Sequence, residues 1–81
     1  MHIEELIIKT KSSENKWRLM EILRNKVLDS DYIDNRIIIL NADNVRRIII
    51  FYQVNSNGVK AVELIKSYMA GPGSKFGQVI L

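Results

Sequence analysis

Two β-branched runs on either side of a short polar turn constrain this chain more than any other feature. Residues 35–54 read Asn-Arg-Ile-Ile-Ile-Leu-Asn-Ala-Asp-Asn-Val-Arg-Arg-Ile-Ile-Ile-Phe-Tyr-Gln-Val. Isoleucine and valine lose little on a pleated strand, and Asn41, Asp43 and Asn44 supply turn chemistry between the runs. The pattern predicts a β-hairpin, with strands over about 36–40 and 45–54. A chain built on a hairpin must cover at least one face of it.

The flanking segments offer that cover. Residues 3–10 alternate as a strand, with Leu6 and Ile8 on one face and Ile3, Ile7 and Lys9 on the other. Ser12 and Ser13 are natural helix caps, and Glu14 sits where a helix dipole favours an acid. A helix over 13–28 follows. It carries Leu19, Met20, Leu23 and Val27 as one stripe, Trp17 at its edge and a Glu14–Arg18 pair toward solvent. Residues 29–35 read as a loop. After the hairpin, Asn55-Ser56-Asn57-Gly58 breaks the strand and caps a second helix over 59–69, with Ala61, Val62, Leu64, Ile65, Tyr68 and Met69 inward. Gly71-Pro72-Gly73-Ser74 stops it, and residues 78–81 suit a short fourth strand. Gly-Pro-Gly-Ser is also a common cloning linker. Residues 1–70 are therefore the expected single domain, with 71–81 a turn plus strand or an engineered tail. The order βαββα(β) predicts an α+β, ferredoxin-like split β-α-β fold: an antiparallel sheet with two helices on one face.

Size and composition narrow the function classes. Eighty-one residues make one small domain, and the absence of cysteine removes disulfides and thiolate metal sites. The formal charge of +3 tolerates an anionic partner without requiring one. The N-terminal Met-His-Ile-Glu-Glu has no leader pattern and no apolar run is long enough for a membrane, which sets a cytoplasmic expectation.

The strands are apolar on both alternations. Ile48, Ile50, Tyr52 and Val54 alternate with Arg47, Ile49, Phe51 and Gln53; Ile37 and Ile39 alternate with Ile38 and Leu40. A sheet with one solvated face ordinarily alternates apolar with polar. Either strand propensity alone accounts for the excess, or the second face is an interface. The interface candidates are Ile37, Ile39, Ile49 and Phe51, with self-association the simplest way to cover them. Which alternation meets the helices is not decided by the pattern.

Catalytic chemistry finds little to use. No Cys is present, His2 is the only His, and Asp29, Asp31 and Asp34 lack EF-hand spacing and suit turn formation. No phosphate-binding glycine motif occurs. The expectation is a protein without enzymatic activity, metal or cofactor. Basic residues do cluster: Lys9, Lys11, Lys16 and Arg18 bracket the first strand–helix junction, Arg24 and Lys26 follow, and Arg46 and Arg47 open the third strand. Of these, Lys9, Lys11, Arg46 and Arg47 are the nucleic-acid candidates, as phosphate contacts. The competing reading is a solvated mixed-charge surface, since nine acidic residues are interspersed. An RNA-recognition motif shares the strand order, but the Gly-Phe/Tyr-Gly/Ala-Phe signature is missing.

The run Ile7-Ile8-Lys9-Thr10-Lys11-Ser12-Ser13-Glu14, the Asp/Asn loop at 31–35, the Asn-rich hairpin turn and the Ser56-Asn57-Gly58 step resemble the small dimerisation subunit of the KEOPS tRNA-modification complex, or its paralogue. The resemblance covers about residues 3–69. It implies a non-catalytic subunit that pairs with itself or a paralogue, docks on a larger protein partner and contacts tRNA. Leu28-Asp29 lacks the Pro-Asp usual in that family, and the second helix has Lys60 and Lys66 but no Arg. The expected function is thus a dimer-forming accessory subunit of a larger complex, with tRNA threonylcarbamoyl modification the most concrete candidate. A free-standing RNA- or DNA-binding module and a small regulatory ligand-binding domain are the alternatives.

Overall fold

The computed structural model describes residues 2–43 and 46–80. Strand β1 (Ile3–Thr10) leads into helix α1 (Ser13–Ile22), a π-helical turn (Leu23–Val27) and a short helix α2 (Ser30–Asp34). The hairpin strands β2 (Ile38–Ala42) and β3 (Arg47–Gln53) follow, then helix α3 (Ser56–Ala70), a 3₁₀ turn (Pro72–Lys75) and strand β4 (Gly77–Val79). The result is a small α+β globule with a four-stranded sheet in the order β2-β3-β1-β4, every neighbouring pair antiparallel.

The ladder between β1 and β3 is the spine, with seven paired positions from Ile3↔Gln53 to Lys9↔Arg47. Its register decides the question that alternation left open. Leu6 pairs with Ile50 and Ile8 with Ile48, and all four are buried. Ile38 and Leu40 extend this layer across β2, opposite Tyr52 and Ile50. The helices close over it with Leu19, Met20 and Leu23 from the first helical segment and Ala61, Val62, Ile65 and Met69 from α3. Burying each such side chain contributes about 1.5–3 kcal/mol.

Several boundaries differ from the sequence reading. The first helix narrows to α form only as far as Ile22, and the Leu28 N–H then bonds to the Leu23 carbonyl at 2.9 Å, a π-type turn that drops Leu28 into the core. Residues 29–35, expected as a loop, contain α2: the Asp29 carboxylate accepts from the Asp31 N–H at 3.3 Å and starts a helical turn. Arg36, expected in the second strand, has φ 57°, the left-handed conformation that turns the chain out of α2. Strand β2 therefore starts and ends two residues later, and Asn41 belongs to it rather than to the turn. The turn former Asn44 and the expected strand start Val45 lie outside the described residues. Helix α3 begins earlier, at Ser56, because the Asn55 side chain caps it. Leu64, expected inward, is 40% exposed. The last strand is Gly77–Val79, ahead of residues 78–81, and Phe76 just before it closes one end of the core.

Gly58 is fixed by packing. The Asn55 carboxamide accepts from the Gly58 N–H at 2.9 Å, and this cap pulls the first turn of α3 onto the end of β3. A Cβ at position 58 would lie 1.7 Å from the Gln53 carbonyl oxygen. Gly58→Ala is expected to destabilise the fold by about 2–3 kcal/mol, because backbone on both sides must move. Urea unfolding of the two proteins measures this; equal midpoints would mean that α3 and β3 separate freely at this point.

Candidate functional site

The face of the sheet turned away from the helices is the first candidate. It carries Ile3, Glu5, Ile7 and Lys9 from β1, Arg47, Ile49, Phe51 and Gln53 from β3, Ile39 and Asn41 from β2, and Gln78 from β4. Ile80 continues along β4, its N–H bonded to the Ile7 carbonyl at 2.9 Å. Rungs cross the face: Ile39, Phe51 and Glu5 form one, and Asn41, Ile49 and Ile7 the next. Ile3, Ile39 and Ile80 are 54%, 44% and 47% exposed, and Ile7, Ile49 and Phe51 are half-buried. Of the four interface candidates, Ile39, Ile49 and Phe51 stand together here. Ile37 does not join them: it precedes β2 and packs, half-buried, on the rim of the core near Tyr32.

The second candidate is a basic cleft where β1 ends and β3 begins. Lys9, Thr10, Lys11, Arg46, Ser74, Gly77 and Gln78 line an open cleft of about 550 Å³, with no carboxylate in its wall among the described residues. The fold builds it from three segments. The buried Thr10 hydroxyl lies against the carbonyls of Arg46 and, at 3.1 Å, Ser12. The Lys11 N–H donates to the Phe76 carbonyl at 2.9 Å, and an Arg46 guanidinium N–H reaches the Lys11 carbonyl at 3.4 Å. Lys9, Lys11 and Arg46 are thereby held around one opening. Arg47 lies next door with Asp43, Lys9 and Ile80. It is drawn toward Asp43, whose carboxylate accepts from Arg47 Nε at 2.7 Å and from the Arg47 N–H at 2.9 Å.

The other basic residues disperse. Lys16 is buried; its ammonium donates to the Asp43 carbonyl at 2.6 Å and lies 4.9 Å from the centre of the Trp17 ring. It ties α1 to the hairpin instead of facing a ligand. Arg18 pairs with Glu14 at 3.7 Å on the exposed side of α1. Among the described residues, no group of three acidic or His side chains is close enough to hold a metal ion, and no helix is long and apolar enough to cross a membrane.

Sequence reasoning missed Thr10, Ser74 and Gln78 as parts of the cleft, and Glu5 as a charge on the open face. The β1 alternation carries two of these: Thr10 is in phase with Leu6 and Ile8, and Glu5 with Ile7 and Lys9. Ser74 had no signal, because its place depends on how the 3₁₀ turn folds back. No family model, curated protein or solved structure matches the chain.

Two titrating groups meet at the far end of the sheet. Glu4 and Tyr52 are cross-strand partners, with the phenol donating to the carboxylate at 3.4 Å. The His2 ring at 3.1 Å is the main cause that holds the Glu4 carboxyl below its usual range. Burial, then the neighbouring Glu4 charge, push the Tyr52 phenol above its usual range. A phenol whose folded pKa is raised stabilises the fold at pH below its unfolded value of about 10, and that contribution is lost as pH rises through the folded value. Urea midpoints followed from pH 8 to 11 should therefore fall more steeply for the natural protein than for Tyr52→Phe; parallel curves would mean that Tyr52 titrates as it does unfolded.

Proposed function

We propose that this chain is a non-catalytic interaction subunit, a ferredoxin-like module that works by self-association through its open sheet face. The strand order β2-β3-β1-β4 and the helices gathered on one face support the ferredoxin-like reading. The observation that carries the functional reading is the bare apolar layer of Ile3, Ile7, Ile39, Ile49, Phe51 and Ile80. Covering several hundred Å² of it is worth on the order of 10 kcal/mol gross at roughly 25 cal/mol per Å², before the cost of association. The accessory subunit of a tRNA-modification complex of the KEOPS type is the most concrete assignment, and a cytoplasmic site of action goes with it. That assignment rests on the local sequence resemblance, and the association reading stands without it.

Light scattering on the natural protein and on Phe51→Glu tests the association. The expected result is a dimer for the first and a folded monomer for the second, with unchanged circular dichroism. A natural protein that is monomeric at tens of micromolar removes the reading.

A second reading is favoured by one separate observation, the convergence of Lys9, Lys11 and Arg46 around one open cleft. It is a phosphate-contacting surface for RNA. Such contacts position a nucleic acid without reading its sequence, and they release counterions. RNA affinity is expected to fall steeply between 50 and 200 mM salt. The pair of substitutions Lys11→Glu and Arg46→Glu should lower both the affinity and the salt slope, measured by fluorescence anisotropy on a short single-stranded RNA. Binding that ignores salt or these two substitutions would place any RNA contact elsewhere.

A further inference from the structure

The open face is not only apolar; its two central strands also carry charges toward their ends. Glu5 and Lys9 flank Ile7 on the same face of β1, two residues to either side. They are about 13 Å apart along the strand, too far to pair with each other. Among the described residues, neither has an ion-pair partner within the chain. On β3, Phe51 and Arg47 flank Ile49 in the same manner, and the register puts Phe51 beside Glu5 and Arg47 beside Lys9. One end of the two central strands therefore carries Lys9 and Arg47, the latter paired with Asp43, and the other carries Glu5 and Phe51, with an Ile7–Ile49 rung between.

We propose that the protein forms a face-to-face homodimer whose two-fold axis crosses the central strands at the Ile7–Ile49 rung. This rests on the self-association reading above and adds its geometry. When two sheets pack face to face with their strands nearly aligned, the two-fold axis lying between them runs either along the strands or across them. An axis along β1 and β3 exchanges the two strands while keeping position along them, and so places Lys9 on the second copy's Arg47. That axis sets Lys9 against a cation already paired with Asp43 and Glu5 against Phe51, so neither Lys9 nor Glu5 meets an opposite charge in the apolar interface, which is costly. An axis across the strands at Ile7 keeps β1 over β1 and β3 over β3 but reverses their direction. Glu5 of each copy then faces Lys9 of the other, twice, and Phe51 faces Arg47, an arrangement in which an aromatic face receives a cation. Ile7 and Ile49 meet their own copies on the axis. This is the isologous pattern, in which one patch is its own complement. The natural twist of each sheet turns the strands of the two copies about 30° from alignment, which concentrates contact on these central strands. Lys11 and Arg46 lie beyond the last paired rung of β1 and β3, so the cleft keeps two of its cations at the rim of the dimer.

Charge exchange tests the axis. Three variants of the whole chain, Glu5→Lys, Lys9→Glu and the double exchange, are compared with the natural protein by sedimentation velocity across a concentration series. Circular dichroism and thermal melting confirm that each is folded. Each single change sets like charges against each other twice per dimer and should weaken dimerisation roughly tenfold or more. The double exchange restores opposite pairs and should return the dissociation constant to within a few-fold of the natural value. Dimerisation that survives both single changes, or that the double exchange fails to restore, overturns the proposed axis while leaving association through Phe51 standing. A natural protein that is a monomer overturns the association itself, and the axis with it.

Discussion

The antiparallel ladder between β1 and β3 is the constraint on which everything else depends. Its register puts Leu6, Ile8, Ile48 and Ile50 on one side and Ile7, Ile49 and Phe51 on the other. A slip of one residue would invert both layers. The same ladder brings Lys9 level with Arg47, and the Thr10 N–H onto the Arg46 carbonyl at 2.8 Å, so that the basic cleft forms where the ladder stops. Core, open face and cleft are thus three results of one pairing.

With one layer of helices for a sheet that is apolar on both sides, the molecule is asymmetric. The helical layer satisfies its own needs with local devices: Ser12 caps α1, Asp29 caps α2, Asn55 caps α3, and Lys16 binds the α1 surface to the hairpin. Among the described residues, no buried side-chain nitrogen or oxygen lacks a hydrogen-bond partner. Among the described residues, the second apolar face of the sheet has no covering layer.

Much of this was legible in the residues. The β-branched runs announced the hairpin, the Ser12-Ser13 pair and the Asn55-to-Gly58 cluster announced their helices, and the period-2 pattern of β1 correctly grouped Leu6 with Ile8 and Ile3 with Ile7 and Lys9. What was not legible followed from long-range packing. Nothing in Ile48-Ile49-Ile50 says which alternation faces the helices, because all three are the same residue; the β1 register supplies that answer. Leu64 looked buried on helical periodicity, but α3 buries only the narrower stripe of Ala61, Val62, Ile65 and Met69. Ile37 looked like a neighbour of Ile39, but the left-handed Arg36 before it sends it to the core rim. Of the four nucleic-acid candidates, Lys9, Lys11 and Arg46 meet where β1 and β3 end together, whereas Arg47 is drawn aside to Asp43, a pairing that strand alternation does not reveal.

The π-helical turn at Leu23–Val27 has a consequence for how this chain can vary in length. A bond from one residue to the fifth before it closes a turn holding one residue more than an ordinary helical turn. That extra residue is taken up by a wider loop of backbone, while Leu23 before it and Leu28 after it both stay in the core. Loss of one of the exposed residues Arg24, Asn25 or Lys26 would let the turn relax to the ordinary α form with both leucines still facing inward. In the middle of α3 the same loss would rotate every following side chain by about 100° and carry Ile65 and Met69 out of the core. Length changes in this protein are therefore tolerated unevenly along its helices, and the end of the first is where one residue can be dropped without turning the layer it belongs to.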